Sequence, residues 1–501
     1  MSEEVVVIDP AVVAHGANID WMMTAGVIVF FMQAGFAMLE SGSVRHKNYQ
    51  NVLLKNCMDA CIGGIVFWAW GYGFAYGDVD GGFIGKKYFF GYNMEGQHAA
   101  WFFQFAFACT PASIASGSLA ERVSIHNYLV FSFCITGFIY PIIVAWTWGG
   151  GWLAAMGFAD FAGSGVVHLT GGIAGLTGAA ICGPRLGRFD AIRTGGDIES
   201  SDTNINPKVV DGYRQVHQKF LSKEWDILRV HEFIKAYGNK LDSKSFAAHS
   251  PQHAVLGTLL LWIGWLCFNA GSSLALIGED GSPVHLSAER AIMNTVLGAS
   301  AGGLFTFVSR KVITGERKDV RLDFQGLTNG ILAGLVCITA SCDCVESWAA
   351  MLIGIIGSIT YSLGCRALNA AKIDDPLEAF QVHGCCGIMG CIVLAFFKID
   401  DGIFYGGKSV TDDAGDKSVA GWELLGVQIF GCLMIALWSG TLCGIFFFVS
   451  MKLGVMRLSE QDEILGGDLH YFGPIEFDGN PADYDLADIC GKIILESAKK
   501  L

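Results

Sequence analysis

Two histidines of this chain stand in the same short pattern, D-x7-H-x3-G-x2-G. Asp160 and His168 belong to the first copy, and Asp375 and His383 belong to the second. Each histidine lies near the start of an apolar stretch, and a histidine buried in a membrane is costly and usually functional. In transporters built from repeated units, paired polar residues lie at the repeat interface near the middle of the bilayer. The repeated frame therefore favours two histidines that share one pore.

The chemistry of two adjacent imidazoles suits proton transfer. Burial disfavours the charged form, so both rings are expected to be mainly neutral. A neutral ring has one donor and one acceptor nitrogen, so a proton can pass from one ring to the other. Two alternatives stay open: the histidines only hold their helices together, or they bind a metal. No third His, Cys or carboxylate falls at clear ligand spacing, and we therefore expect no metal and no cofactor.

Apolar stretches dominate the rest of the sequence. The 501 residues are 52% hydrophobic and 16% charged, whereas soluble domains average about 25% charged residues. A helix that crosses a bilayer needs about 20 mostly apolar residues. Eleven stretches meet this criterion: 20–41, 52–76, 99–119, 125–148, 163–184, 253–276, 286–308, 324–342, 347–366, 379–397 and 424–451. We predict an all-α membrane protein, and the net charge of -14 argues against nucleic acid as a partner.

Basic residues collect on one side of the predicted spans. Arg45, Arg122, Arg310 and Arg366 fall in short loops or at span ends that share a side with the C-terminal tail. The opposite side carries few basic residues. Because cytoplasmic loops are enriched in Lys and Arg, we predict an outside N-terminus and a cytoplasmic C-terminus.

The two histidine stretches are spans five and ten, so equivalent elements are five spans apart and run in opposite directions. This arrangement predicts an inverted 5+5 repeat with one additional helix. The predicted division is a first half (1–185), a cytoplasmic loop with an insert (186–252), a second half (253–397), an extracellular loop with helix eleven (398–451) and a cytoplasmic tail (452–501).

Several stretches of this sequence resemble the ammonium transporter family (Amt/Mep/Rh). They are residues 117–122, 160–168, 183–189, 264–272 and 374–384. They occur in the family's order, and the resemblance covers nearly the whole chain except 190–248 and the last twenty or so residues. Residues 374–378 and the tail are similar to plant-type Amt members.

The resemblance implies an aromatic recruitment site for ammonium at the outer mouth. Phe107 and Trp148 would face the cation, because cation–π contact suits a small cation, and Ser272 would accept one N–H. Phe107 and Phe268 would stack below this site as a gate. The alternative from composition alone is that these rings are ordinary core or lipid-facing residues.

The resemblance also implies roles for the residues of the repeated pattern. His168 and His383 would line an apolar pore that conducts ammonia, with separate transfer of the proton. Asp160 is expected to cap its helix and thereby support the outer cation site. Asp375 is expected to have the mirrored structural role on the cytoplasmic side.

The tail around Gly454, Arg457 and Asp468 resembles the regulatory tail of the family, which contacts a neighbouring protomer and couples the pores of a homotrimer. The sequence departs from the plant-type pattern at His470, where a phosphorylatable Thr is common. The insert at 190–248 is either a basic amphipathic helix on the inner leaflet or a solvated helical loop. We expect the tail and the insert to gate the pore together.

These features favour one of three classes of function. An ammonium transporter in the plasma membrane, spanning it several times, is favoured because both histidines and the gate residues are intact. An ammonium sensor with little flux is the alternative, although no added signalling domain is recognisable. An enzyme is not expected, because the sequence has no recognisable nucleophile motif.

Overall fold

Helices form nearly all of the computed structural model. It describes residues 9–189, 246, 248–278, 280–315, 322–411 and 417–472. Within these ranges, the strands are one antiparallel pair, Val410–Thr411 with Lys417–Ser418. Most of the predicted insert, at 190–245 and 247, lies outside the described residues, so its two interpretations stay predictions.

Eleven helical segments account for the main body of the protein. They are α1 (Pro10–Ser43), α2 (His46–Tyr76), α3 (His98–Leu119), α4 (Ile125–Trp146), α5 (Ser164–Cys182), α6 (Pro251–Gly271), α7 (His285–Thr314), α8 (Phe324–Thr339), α9 (Ser347–Ala371), α10 (Phe380–Phe397) and α11 (Gly421–Lys452). Short helices occur at Trp152–Ala155, Glu460–Leu465 and Gly467–Phe472. Each of the eleven overlaps one predicted span.

Among the described residues, nine of these helices are long and apolar enough to cross a membrane. The other two are α3 and α8, and α8 has only 16 residues. The protein is therefore a multi-pass membrane protein, and the count of eleven spans stays a prediction. Helix α3 is enclosed by the others, since every residue from 103 to 119 is buried.

The first helix begins ten residues before the predicted start at residue 20. Asp9 caps it by accepting a hydrogen bond from Ala11 N at 2.9 Å, and Pro10 occupies the first helical position, where its fixed φ is favourable. Asn18, in the segment before residue 20, accepts a hydrogen bond from Leu276 N at 2.8 Å. This contact with a residue distant in the sequence supports the extension of the helix beyond the apolar stretch.

The two histidine helices, α5 and α10, cross with reciprocal backbone contacts. A Cβ at Gly172, four residues after His168, would lie 2.3 Å from the backbone N of Gly384. A Cβ at Gly387, four residues after His383, would lie 3.0 Å from the backbone N of Leu169. Glycine is required because any side chain would force the helices apart. This exchange of equivalent contacts is the relationship expected of a duplicated unit.

The loops on one side of the bundle are joined to the C-terminal segment. We call the side that holds residues 45–51, 121–125, 182–189 and 453–472 the tail side, and the opposite one the far side. Ser124 N donates to Met456 O at 2.9 Å, and Leu458 N donates to Arg122 O at 2.9 Å. The C-terminal segment is therefore part of the folded body on the tail side.

Charged side chains link separate segments on the tail side. The Glu121 carboxylate pairs with Arg45 Nε at 2.5 Å and with Arg185 Nη1 at 3.2 Å, and Arg185 Nε pairs with Asp374 at 2.7 Å. We call these four residues the charge cluster. Burial alone would raise the pKa of Glu121, but the two guanidinium groups lower it to about 2. The charge cluster thereby holds together four loops that follow helices α1, α3, α5 and α9.

The charge cluster predicts acid-sensitive stability. A glutamate whose folded pKa is about 2 contributes stability that is complete above its ordinary pKa and is lost as the pH falls through about 2. We expect Glu121→Gln to lower the free energy of unfolding at pH 7 by about 3–5 kcal/mol, because two buried guanidinium groups lose their partner. The melting temperature in detergent should then fall less steeply between pH 4.5 and 2 than in the wild type.

The exposed Glu346 is the matched control for this acid response. Glu346→Gln should leave both the melting temperature at pH 7 and its dependence on pH unchanged. An equally steep acid response in Glu121→Gln and the wild type would contradict the assigned role of the charge cluster.

Candidate functional site

The two histidines of the repeated pattern meet inside the helix bundle. His168 Nδ1 and His383 Nδ1 are 3.3 Å apart, and the ring centroids are 5.2 Å apart. His168 is fully buried and His383 is 5% exposed. One nitrogen of the facing pair donates and the other accepts, so the two rings share one proton. His168 Nε2 has no hydrogen-bond partner and is available to a further group.

Both histidines lie on a widened turn at the start of their helices. The segments Ser164–Leu169 and Phe380–Cys385 are π-helical, each six residues long. Single π-helical turns inside α-helices are frequent at functional sites. The same irregularity therefore occurs in both copies of the pattern, at the residues that carry the two imidazoles.

The aspartates of the pattern hold these helix starts in place. Asp160 accepts hydrogen bonds from four backbone N–H groups, those of Gly163, Ser164, Gly165 and Val166, at 2.8–3.0 Å. Burial raises the pKa of Asp160 to about 6, although these four N–H groups favour the charged form. The carboxylate is thus a helix cap with both oxygens occupied.

Asp375 has a comparable position at the start of α10. It accepts a hydrogen bond from Phe380 N at 2.8 Å. This contact matches the one between Asp160 and Gly165 in the first copy, since both join the aspartate to the residue five positions later. Burial raises the pKa of Asp375 to about 6, as it does for Asp160.

Aromatic rings cover the histidine pair on the Trp148 side. Phe107 and Phe268 stack with a centroid distance of 4.0 Å and an angle of 20°, and both are buried. Phe268 lies 5.5 Å from the ring of His168, and Phe107 lies 5.8 Å from Trp148 in an edge-on contact. The rings form a continuous series from Trp148 to His168.

Trp148 lies at the end of this series and Ser272 follows Phe268 by four residues, and both are partly exposed. Trp148 Nε1 donates to the backbone oxygen of Asp160 at 2.8 Å, so the capping loop also orients the indole. Ser272 Oγ donates its proton to Phe268 O at 2.8 Å. The oxygen lone pairs of Ser272 remain available to a donor such as an ammonium N–H.

Sequence reasoning missed two residues that contact the histidines. Trp265 stacks on His168 with a centroid distance of 4.8 Å and an angle of 17°, and its Nε1 donates to Thr339 Oγ1 at 2.8 Å. Phe36 lies 6.4 Å from the ring of His383. The sequence feature that points to Trp265 is its position three residues before Phe268, which places both side chains on one face of α6.

Part of the predicted regulatory tail is anchored by Arg457. Its guanidinium donates to the backbone oxygens of Cys182 and Pro184 at 2.8 Å, and it pairs with Glu463 at 2.8 Å. Glu463 is buried and accepts a hydrogen bond from Leu186 N at 2.8 Å. The tail is thereby joined to the end of helix α5, which carries His168.

A second anchor of the tail involves Asp468. Its carboxylate accepts hydrogen bonds from Gln50 N at 2.9 Å and Asn51 N at 2.8 Å, at the start of α2. Burial raises the pKa of Asp468 to about 6. Gly454 adopts a φ of +72°, which allows the chain to turn directly after α11.

Among the described residues, there is no group of three or more His, Cys, Asp or Glu side chains that could hold a metal ion. The histidine pair is surrounded by aromatic rings rather than by further ligands.

Comparison with known proteins gives concordant matches. The Ammonium Transporter Family model matches residues 20–205 and 234–477. Ammonium transporter 1 member 3 of Solanum lycopersicum is 35% identical over 493 residues, which cover 94% of this chain and 95% of that protein. Ammonium transporter 3 of Dictyostelium discoideum is 35% identical over 463 residues, covering 89% of this chain and 91% of that protein.

Solved structures show the same fold. A structure named Sensor Amt Protein has a TM-score of 0.73 and 29% identity, covering 92% of this chain and 99% of that one. Mep2 of Saccharomyces cerevisiae has a TM-score of 0.68 and 26% identity, covering 88% of this chain and 87% of that one. With its twin histidines, aromatic series and matching sequence, the chain belongs to the Ammonium Transporter Family.

Proposed function

We propose that this protein transports ammonium across the membrane, by binding the cation, removing one proton and conducting ammonia. The observation that carries this proposal is the continuous series of rings from Trp148 through Phe107 and Phe268 to the histidine pair. Such a series offers a cation-binding surface at one end and an apolar, proton-accepting path behind it.

Recruitment depends on the chemistry of ammonium, which has four N–H donors and no acceptor. Trp148 and Phe107 supply ring faces for the charge, and Ser272 supplies an acceptor oxygen. Asp160 supports the site through its negative charge without direct contact, because its oxygens are occupied by backbone N–H groups. Potassium cannot form the directional hydrogen bond and is bound less well.

Deprotonation follows from the closed aromatic stack. A charged ammonium would have to lose its hydration between Phe107 and Phe268, which is costly in an apolar site. Ammonia passes at a much lower cost, while the unpartnered His168 Nε2 takes the proton. The shared Nδ1 contact then transfers a proton to His383. Net charge and ammonia can thus cross by neighbouring routes.

The membrane arrangement is part of the same proposal. We assign all eleven helices to spans, in an inverted 5+5 repeat with α11 added, and place the protein in the plasma membrane. The reciprocal contacts of Gly172 and Gly387 support the repeat. With the tail side cytoplasmic, the Trp148 end faces outside. A homotrimer is proposed from the family membership.

The proposed transport is tested with the purified protein in proteoliposomes. Ammonium pulses should evoke saturable currents, and equal potassium pulses should evoke none. The specific alternative is a sensor, suggested by the similarity to the protein named Sensor Amt Protein. Vesicles in which ammonium binds but produces neither current nor a change of internal pH would favour the sensor and contradict transport.

The tail is proposed to regulate the pore through Arg457. Replacing Arg457 with Ala leaves the buried Glu463 without its partner, which should weaken tail docking by about 3–5 kcal/mol. We expect lower ammonium currents and faster hydrogen exchange in residues 453–472. Truncation after Lys452 should lower the currents at least as strongly.

The control for the tail is Arg366→Ala, which removes an exposed arginine near the same end of the bundle. This variant should retain wild-type currents and exchange rates. Undocking of the tail in Arg457→Ala with unchanged currents would show that the tail does not regulate transport.

A further inference from the structure

A small cavity lies on the tail side of the histidine pair. Its volume is about 20 Å³, enough for one molecule of the size of water or ammonia. His383 lies on its wall, together with the mainly apolar side chains of Phe36, Ile114 and Leu332. An ammonia molecule that leaves the histidine pair toward the tail side would enter this cavity.

Glu40 of α1 brings a carboxyl group to the same cavity. It is 1% exposed. Its Oε2 accepts a hydrogen bond from Ser116 Oγ at 2.8 Å, whereas its Oε1 has no partner. Such an oxygen in a buried site is costly, and because it borders the cavity it can exchange a proton with a small molecule held there. Glu40 had no role in the sequence-based assignment of the site.

Charged and polar side chains of α2 surround the Glu40 carboxyl group. Lys55 and Asp59 of α2 are the charged neighbours, and the Asn56 amide lies beside the carboxylate. Lys55 Nζ is engaged with the backbone oxygen of Val123 at 3.0 Å. Asp59 has hydrogen bonds from hydroxyl groups of Ser113 and Ser132 on its two oxygens. Glu40 is therefore the acid with a free oxygen in this group.

We propose that Glu40 returns a proton to ammonia in this cavity, so that ammonium re-forms before it leaves on the tail side. The inference rests on the proposed transport function and extends it to the second end of the pore. The Glu40 O–H bond breaks, its electron pair stays on the carboxylate, and the ammonia lone pair takes the proton. After ammonium leaves, the proton carried by His383 restores the acid, so each cycle is balanced.

This step also explains why a buried acid is tolerated there. Before the transfer, a protonated Glu40 and ammonia are both neutral. After the transfer, the carboxylate and the ammonium form a pair of opposite charges in contact. An isolated charge in the cavity is thereby avoided until ammonium departs, and a buried charge is acceptable only when it is paired.

The test compares current and ammonia uptake in proteoliposomes that contain Glu40→Gln. Glutamine keeps the shape and can still accept from Ser116, but it has no acidic proton. We expect the ammonium current to fall on the order of a hundredfold, the usual contribution of a general acid. Ammonia uptake, followed by a pH dye inside the vesicles, should continue. Glu40→Asp should restore part of the current.

Glu346→Gln is the control, because it neutralises an exposed carboxylate that neither lines the cavity nor neighbours Glu40. It should retain the current, and the melting temperature of each variant checks its folding. Wild-type current in Glu40→Gln would overturn the inference, as would loss of both current and ammonia uptake in a folded variant. A wild-type protein without ammonium current would instead overturn the proposed function itself.

Discussion

Replacement of both pore histidines by alanine should abolish the ammonium current. In His168→Ala, His383→Ala the nitrogen atoms that lie 3.3 Å apart are gone, and with them the proton path between the helices. Ammonia uptake can persist through the enlarged apolar space, so charge and ammonia movement should become separate. Currents from solid-supported membranes and a pH dye inside vesicles measure the two processes.

The control for this variant removes an exposed histidine outside the candidate site. His285 has a side chain that is 46% exposed at the start of α7, and His285→Ala should retain the full current. Size-exclusion profiles and melting temperatures establish that the double variant is folded. An unchanged current in a folded double variant would exclude the proton path through these rings.

Replacement of Trp148 by leucine should raise the ammonium concentration at half-saturation by about 5- to 30-fold. Such a change corresponds to about 1–2 kcal/mol, the size of a cation–π contact that is partly shielded from water. Discrimination against potassium should weaken as well, since the ring helps to orient the cation toward Ser272. The hydrogen bond from Trp148 to Asp160 O is lost in the same variant.

One further variant separates the ring from the hydrogen bond, and a second serves as a control. Trp148→Phe keeps an aromatic face without the indole N–H, and we expect an intermediate half-saturation. Trp422→Leu removes a tryptophan that is 72% exposed and should change nothing. If half-saturation and potassium discrimination both stay at wild-type values in Trp148→Leu, the recruitment site lies elsewhere.

Much of the architecture follows from the sequence because apolar length alone specifies a membrane helix. The helix ends are less predictable, since they depend on partners far away in the chain. The start of α1 illustrates this, because the polar Asn18 is paired with the backbone of Leu276. A local pattern cannot reveal such a partner.

The residues of the candidate site could likewise be predicted only in part. The repeated pattern identified His168 and His383, because a buried polar residue in matching frames has few structural explanations. Trp265 and Glu40 remained hidden, since a tryptophan or a glutamate at a helical position has many ordinary roles. Only the folded structure brings Trp265 against His168 and Glu40 to the cavity beside His383.

The stacked pair of Phe107 and Phe268 has a consequence for the speed of the protein. With ring centroids 4.0 Å apart and both side chains buried, the two rings block the path of the proposed transport at rest. In the proposed transport every passage begins with the swing of a ring, so we expect molecules to cross as separate events and the rate to rise steeply on warming. Transport of this kind would have a turnover number, and at a given state of the tail the uptake by a cell would scale with the number of copies in its membrane.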